Sequence, residues 1–255
     1  MDAVGFVMID ITTSGDDARS EWLLAVEDGA RGRYAGARSR LRPLRHCSNA
    51  AVASLAFSTE GSLLRQLGWH RAASALDGRA LAAVGWAGTG CGTSEARADA
   101  LVGLAADSLG TGRLGRGRML LARCEEVIDS GAEDLTRASI RLRWVRAEIA
   151  LGSGEFDEAI RHARDAAARS AECPSERHRV KYDLIVSASM HARGEHRGAV
   201  ELLGTVTERC ERYELVPLGW AAAMLASALG DGAASARAAG FATLIRHRGG
   251  IFRNE

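Results

Sequence analysis

Six glycines recur at near-even intervals, and their spacing restricts the fold more than any other feature. Gly32, Gly68, Gly112, Gly154, Gly194 and Gly230 are separated by 36, 44, 42, 40 and 36 residues. Two positions after them stand Tyr34, His70, Leu114, Phe156, His196 and Gly232. Five positions after the first five stand Ala37, Ala73, Gly117, Ala159 and Ala199. Glycine can enter the left-handed backbone region that ends a helix. An aromatic or apolar side chain next to it plugs the turn, and a small residue lets the second helix approach closely. A helix stop, a plug and a close-approach site therefore recur as one unit, and self-similarity at this scale marks a repeat architecture.

The segments between the glycines carry helical periodicity. In the stretch 94–109, Ala98, Leu101, Val102, Ala105 and Leu109 fall on one face, with Thr93 or Ser94 available as a cap. After Gly154, the residues Phe156, Ala159, Ile160, Ala163 and Ala167 form another stripe, and only three prolines interrupt the chain. Hairpins are expected at 16–46, 49–84, 93–128, 132–171, 175–213 and 216–248, with a start signal at Pro174-Ser175.

The stretch Gly154-Glu155-Phe156-Asp157-Glu158-Ala159-Ile160 resembles the turn and second helix of a tetratricopeptide repeat, and the other five turns repeat it in weaker form. The units are longer than the family's period of about 34 residues. The resemblance implies an all-α fold, a right-handed α–α superhelix of about six helical hairpins. It divides the chain into an N-terminal tail at 1–15, a repeat domain at 16–248 and a C-terminal tail at 249–255. It also implies that the first helix of each hairpin lines a concave groove that binds a protein or peptide segment. Trp22, Trp144 and Trp220 each stand ten positions before a turn glycine. By that register the groove takes in Arg19, Trp22, Arg65, Gln66, Arg141, Trp144, Glu148, Lys181, His191 and Trp220. Arg141, Trp144 and Glu148 share a helix face and suggest a clamp, an indole between a cation and a carboxylate.

Composition bounds the partners. There are 33 basic and 32 acidic residues, a formal charge of +1, which argues against a general polyanion binder. Local clusters at Arg38, Arg40, Arg42 and Arg45, and at Arg177, Arg179 and Lys181, motivate a second reading: a regulatory protein that contacts nucleic acid, or the sensor part of a transcription regulator. The five cysteines, Cys47, Cys91, Cys124, Cys173 and Cys210, form no CxxC pair, which fits a reducing cytoplasm. The apolar run at 4–9 is too short to span a bilayer.

No catalytic, cofactor or metal motif passes its context test. Gly88-Thr89-Gly90-Cys91-Gly92-Thr93 lacks the lysine of a phosphate-binding loop. The stretch Gly110 to Gly115 follows a helix rather than a strand, so it is no dinucleotide fingerprint. His191, Glu195 and His196 lack the spacing of helical zinc sites. The expectation is a non-enzyme without cofactor, whose candidate residues serve a partner.

Overall fold

The computed structural model describes residues 15–86, 88–130, 135–170 and 175–253. The apolar run at 4–9 and Pro174 lie outside them. Among the described residues there are twelve α-helices and no strand. They are α1 (Gly15–Ala30), α2 (Tyr34–Leu44), α3 (Ala50–Gln66), α4 (His70–Val84), α5 (Thr93–Gly110), α6 (Leu114–Asp129), α7 (Thr136–Gly152), α8 (Phe156–Ser170), α9 (Glu176–Ala192), α10 (His196–Arg212), α11 (Val216–Ala228) and α12 (Ala234–His247).

The glycine turns form as the spacing predicts. All six turn glycines have positive φ, from 69° at Gly32 to 92° at Gly230. In each, the next residue's N–H reaches back to a carbonyl five positions earlier. Examples are Arg33 N to Asp28 O at 2.8 Å and Glu155 N to Ala150 O at 2.9 Å. This bond satisfies a carbonyl that the helix end leaves orphaned. The same device closes α10 without glycine: Leu215 N donates to Cys210 O at 2.8 Å, and Glu214 holds φ 52°.

Two kinds of helix result. The second helix of a pair buries one stripe. In α6 this is Gly117, Leu120, Leu121 and Cys124; in α10 it is Ala199, Leu203, Val206 and Cys210. Withdrawing Leu203 or Val206 from water contributes about 1.5–3 kcal/mol each. The first helices bury more, because they pack on each other as well as on their partners: α3 on α5, α5 on α7, α7 on α9. Helix α5 is buried on almost every side, from Thr93 to Ser108. The chain therefore has an inner layer of odd-numbered helices and an outer layer of even-numbered ones.

The two ends of the chain meet. Ala35 N donates to Arg248 O at 3.0 Å, and the Arg248 guanidinium donates to Arg31 O at 2.6 Å. Further on, Arg253 N donates to Leu67 O at 3.0 Å and Trp69 Nε1 to Ile251 O at 2.7 Å. Val216 and Ile245 share one core cluster with Trp22, Tyr34 and Leu55. Residues 249–253, expected as part of a C-terminal tail at 249–255, thus pack against the body, because the Arg38 guanidinium, Leu67 O and Trp69 Nε1 bond to them.

The turn plug works unevenly. Tyr34 is fully buried, since the returning chain at Gly250 and Ile245 lies against it. Phe156, expected to plug its turn, is 40% exposed. Carbonyls of Gly85, Gly88 and Gly90 are taken up by the start of α5. Buried Arg97 donates to Gly85 O at 2.8 Å and Gly88 O at 2.9 Å, and Thr93 Oγ1 donates to Gly90 O at 2.6 Å.

Candidate functional site

The ten sequence-predicted positions do not form one surface. Trp22 is only 3% exposed, and its Nε1 donates to Thr59 Oγ1 at 2.8 Å. It is a core residue, not a groove anchor. Ser58, Val102 and Leu184, ten positions before Gly68, Gly112 and Gly194, are buried too. That register position therefore points into the packing between inner helices in most of the pairs. Arg65 is committed to a buried network: its guanidinium donates to Asp77 of α4 and, at 2.7 Å, to Asp107 of α5. Gln66 accepts the Tyr34 hydroxyl at 3.0 Å. His191 lies at the α9–α10 turn, Nδ1 to Nδ1 with His196 at 3.0 Å. Trp220 is at the closure, its ring 5.1 Å from that of Phe252, beside a cavity of about 510 Å³ that Leu67, His70 and Arg253 also line.

Four of the ten meet on the facing surfaces of α7 and α9. Trp144 is partly exposed; its indole stacks on His178 of α9, centroids 5.2 Å apart, and leans on Tyr182 at 5.2 Å. One turn further along, Lys181 Nζ pairs with Glu148 at 2.7 Å. One turn before Trp144, Arg141 pairs with Asp99 of α5. The clamp with free charges is thus corrected: both flanking charges already hold intramolecular partners. Trp144 Nε1 is buried with no acceptor among the described residues.

This face continues into a network that sequence reasoning missed. Arg137, one turn before Arg141, donates to Asp99 and to Glu95, the latter at 3.1 Å. Arg19 of α1 reaches Glu95 at 2.7 Å. The guanidinium carbons of Arg19 and Arg137 lie 5.3 and 5.4 Å from the centre of the Trp22 ring, so one indole carries two cations. Arg137 and Arg141 together hold the Asp99 carboxyl below its ordinary value against the opposing effect of its burial. In sequence, Glu95, Asp99, Arg137 and Arg141 show only as charges at helical spacing of four on α5 and α7; nothing local pairs them.

The basic clusters that motivated nucleic-acid contact are largely spent. Arg40 is paired with Glu21 at 2.8 Å and Asp28 at 3.0 Å, and Arg45 with Glu60. Arg179 is paired with Glu176. Arg42, exposed on α2, has no hydrogen-bond or ion-pair partner among the described residues, and neither has Arg177, half-buried at the start of α9. Burial first, then repulsion from Arg141 and Arg137, lowers its pKa to about 10.

Chemically, the face offers donors and aromatic surface. Burial first, then Arg177, Arg137 and Arg141, pushes His178 down to about 3, which keeps it neutral near pH 7. Burial likewise raises the Cys124 and Cys210 thiols to about 12, far from a reactive thiolate. Among the described residues no group of three or more His, Cys, Asp or Glu is placed to hold a metal ion, and no helix is long and apolar enough to cross a membrane. Set against known families and curated proteins, the chain matches no family model and no curated sequence.

Proposed function

We propose that the chain is a partner-binding module of the tetratricopeptide-like kind: six helical hairpins in a right-handed superhelical array, curved enough for its ends to meet. It holds a protein or peptide segment along the face of α7 and α9. One observation carries this reading. Trp144 is a large aromatic on an inner helix that stays partly exposed while His178 and Tyr182 hold its ring in place. A preformed aromatic surface loses little freedom on binding, and tryptophan is over-represented among residues that dominate interfaces. The Glu148–Lys181 pair beside it adds polar direction without an unpaired charge. Unbridged cysteines at 47, 91, 124 and 210 suit a reducing cytoplasm.

The test is affinity capture by the full chain from its native host, wild type against Trp144→Ala. A partner retained by the wild type should bind the variant at least tenfold more weakly, about 2 kcal/mol, with the thermal midpoint little changed. Equal retention by the variant would sink the reading.

A further inference from the structure

In the Gly112 turn, the residue three before the glycine and the residue two after it pack at one point. They are Leu109 and Leu114, and an added Cβ at Gly152 lies 2.9 Å from the first and 3.7 Å from the second. In the Gly154 turn the same two positions hold Leu151 and Phe156. In the Gly194 turn both are histidines: His191 in the last turn of α9 and His196 at the start of α10. Of the six turns, this is the one with a nitrogen ligand at both positions.

The backbone sets their spacing. Gly194 holds φ 84°, and Glu195 N donates to Met190 O at 2.9 Å, the closure used by the other glycine turns. The two imidazole centroids are then 5.1 Å apart, and Nδ1 lies 3.0 Å from Nδ1. Two nitrogens bound to one metal ion at about 2.0–2.1 Å, in right-angle to tetrahedral geometry, stand about 3.0–3.4 Å apart. The pair therefore already has the spacing of a chelate, and little freedom is lost on binding. It is exposed, so a hydrated ion reaches it from solvent. The arginines that flank it have carboxylates of their own. Arg193 is with Asp157 at 3.0 Å and Glu195 at 3.2 Å, Arg164 with Glu195 at 3.6 Å, and Arg197 with Glu201 at 3.1 Å. In the neutral pair one Nδ1 donates and the other accepts. When an ion binds, that proton moves to Nε2 of the same ring, and both Nδ1 lone pairs turn to the metal.

We propose that His191 and His196 chelate a divalent transition-metal ion of the nickel, copper or zinc kind through their two Nδ1 atoms. Imidazole suits these ions, whereas magnesium and calcium take oxygen ligands. Among the described residues no third His, Cys, Asp or Glu joins the pair, so water fills the remaining positions and the ion stays exchangeable. Bound there, it staples the end of α9 to the start of α10. The site rests on this turn alone, so it is independent of whether a peptide lies on Trp144.

The experiment titrates nickel chloride into the untagged full chain and follows the heat of binding and the thermal midpoint. With nickel about tenfold above its dissociation constant, the wild type should melt about 3 °C or more above its midpoint in magnesium chloride of equal concentration. His191→Ala and His196→Ala should each weaken nickel uptake at least tenfold and leave the midpoint in magnesium little changed. His196→Phe supplies the ring that the Gly154 turn carries at that place, so it serves where the alanine variant does not fold, and it too should lose the site. Nickel and magnesium acting alike on the wild type, or nickel uptake undiminished in the histidine variants, overturns the proposal. Trp144→Ala should bind nickel as the wild type does, so a failed capture experiment and a failed titration are told apart.

Discussion

The indole of Trp144 lies nearly parallel to the imidazole of His178, at 14° between planes and 5.2 Å between centroids. That contact joins two inner helices and buries His178 in its neutral form. In the unfolded chain the imidazole takes a proton near pH 6.5; in the folded chain it does so only near pH 3. Its contribution to stability is therefore full above pH 6.5 and is lost as pH falls toward 3, by up to about 1.4 kcal/mol per pH unit. His178→Phe keeps a flat ring and removes the titration. Urea denaturation at pH 7 and pH 4.5 should show the variant losing about 2 kcal/mol less than wild type across that interval.

Asp77 gives the opposite slope. It occupies a stripe position on α4 between Ala73 and Ala80 and is fully buried. Its burial raises the carboxyl to about 7, opposed by Arg65 and reinforced by Asp107. The unfolded chain gives up this proton near pH 3.8 while the folded chain retains it, so stability declines as pH rises from about 4 to 7. Asp77→Asn, an uncharged mimic of the protonated acid, should flatten that decline when folding is followed over the same range. The carboxyl sits directly over Gly103 of α5, where an added Cβ meets its oxygens. Gly103→Ala should therefore destabilise by about 1–3 kcal/mol through overpacking.

Turn residues offer a matched pair of substitutions. A Cβ at Gly154 meets nothing within 4 Å, so its φ of 75° alone decides the cost of a side chain. Gly154→Val should lose about 1–2 kcal/mol. Glu214 already bears a side chain at φ 52°. Glu214→Gly should gain about 0.5–1 kcal/mol, the relieved strain less the added chain entropy. Chemical denaturation of both variants checks the signs.

These turns also show what the sequence could reveal. A left-handed turn is demanded at a single residue, so Gly154 and its five counterparts could be read one by one. Glu214 could not, because a left-handed glutamate carries no local mark. The groove was misplaced for a similar reason. Trp22 and Trp144 share a register position, yet Trp22 is covered by α3 through Thr59 while Trp144 meets His178 and stays partly open. That Lys181 keeps an acid was equally hidden, because Glu148 comes from α7, whereas Arg179 and Glu176 stand three apart on one helix. Local conformation was legible; burial and charge pairing belong to residues distant along the chain.

The contact between Trp220 and Phe252 tests the meeting of the chain ends. Phe252→Ala removes a half-buried ring from beside Trp220 and from the Arg246 guanidinium, 5.6 Å away. The expected loss is about 1–2 kcal/mol. A Trp220→Ala, Phe252→Ala double variant should lose less than the two single losses together, because both remove the same contact.

An open stack of helical repeats frays, because its end units have one neighbour and melt first. Here the first helix pair meets the last at Arg248, Gly249 and Val216, which ties the two end units to each other. Amide hydrogen exchange should then report one common opening energy for inner helices α1 and α11 and for α5, rather than protection that fades toward the extremities. The extremities would then open together with the middle rather than before it.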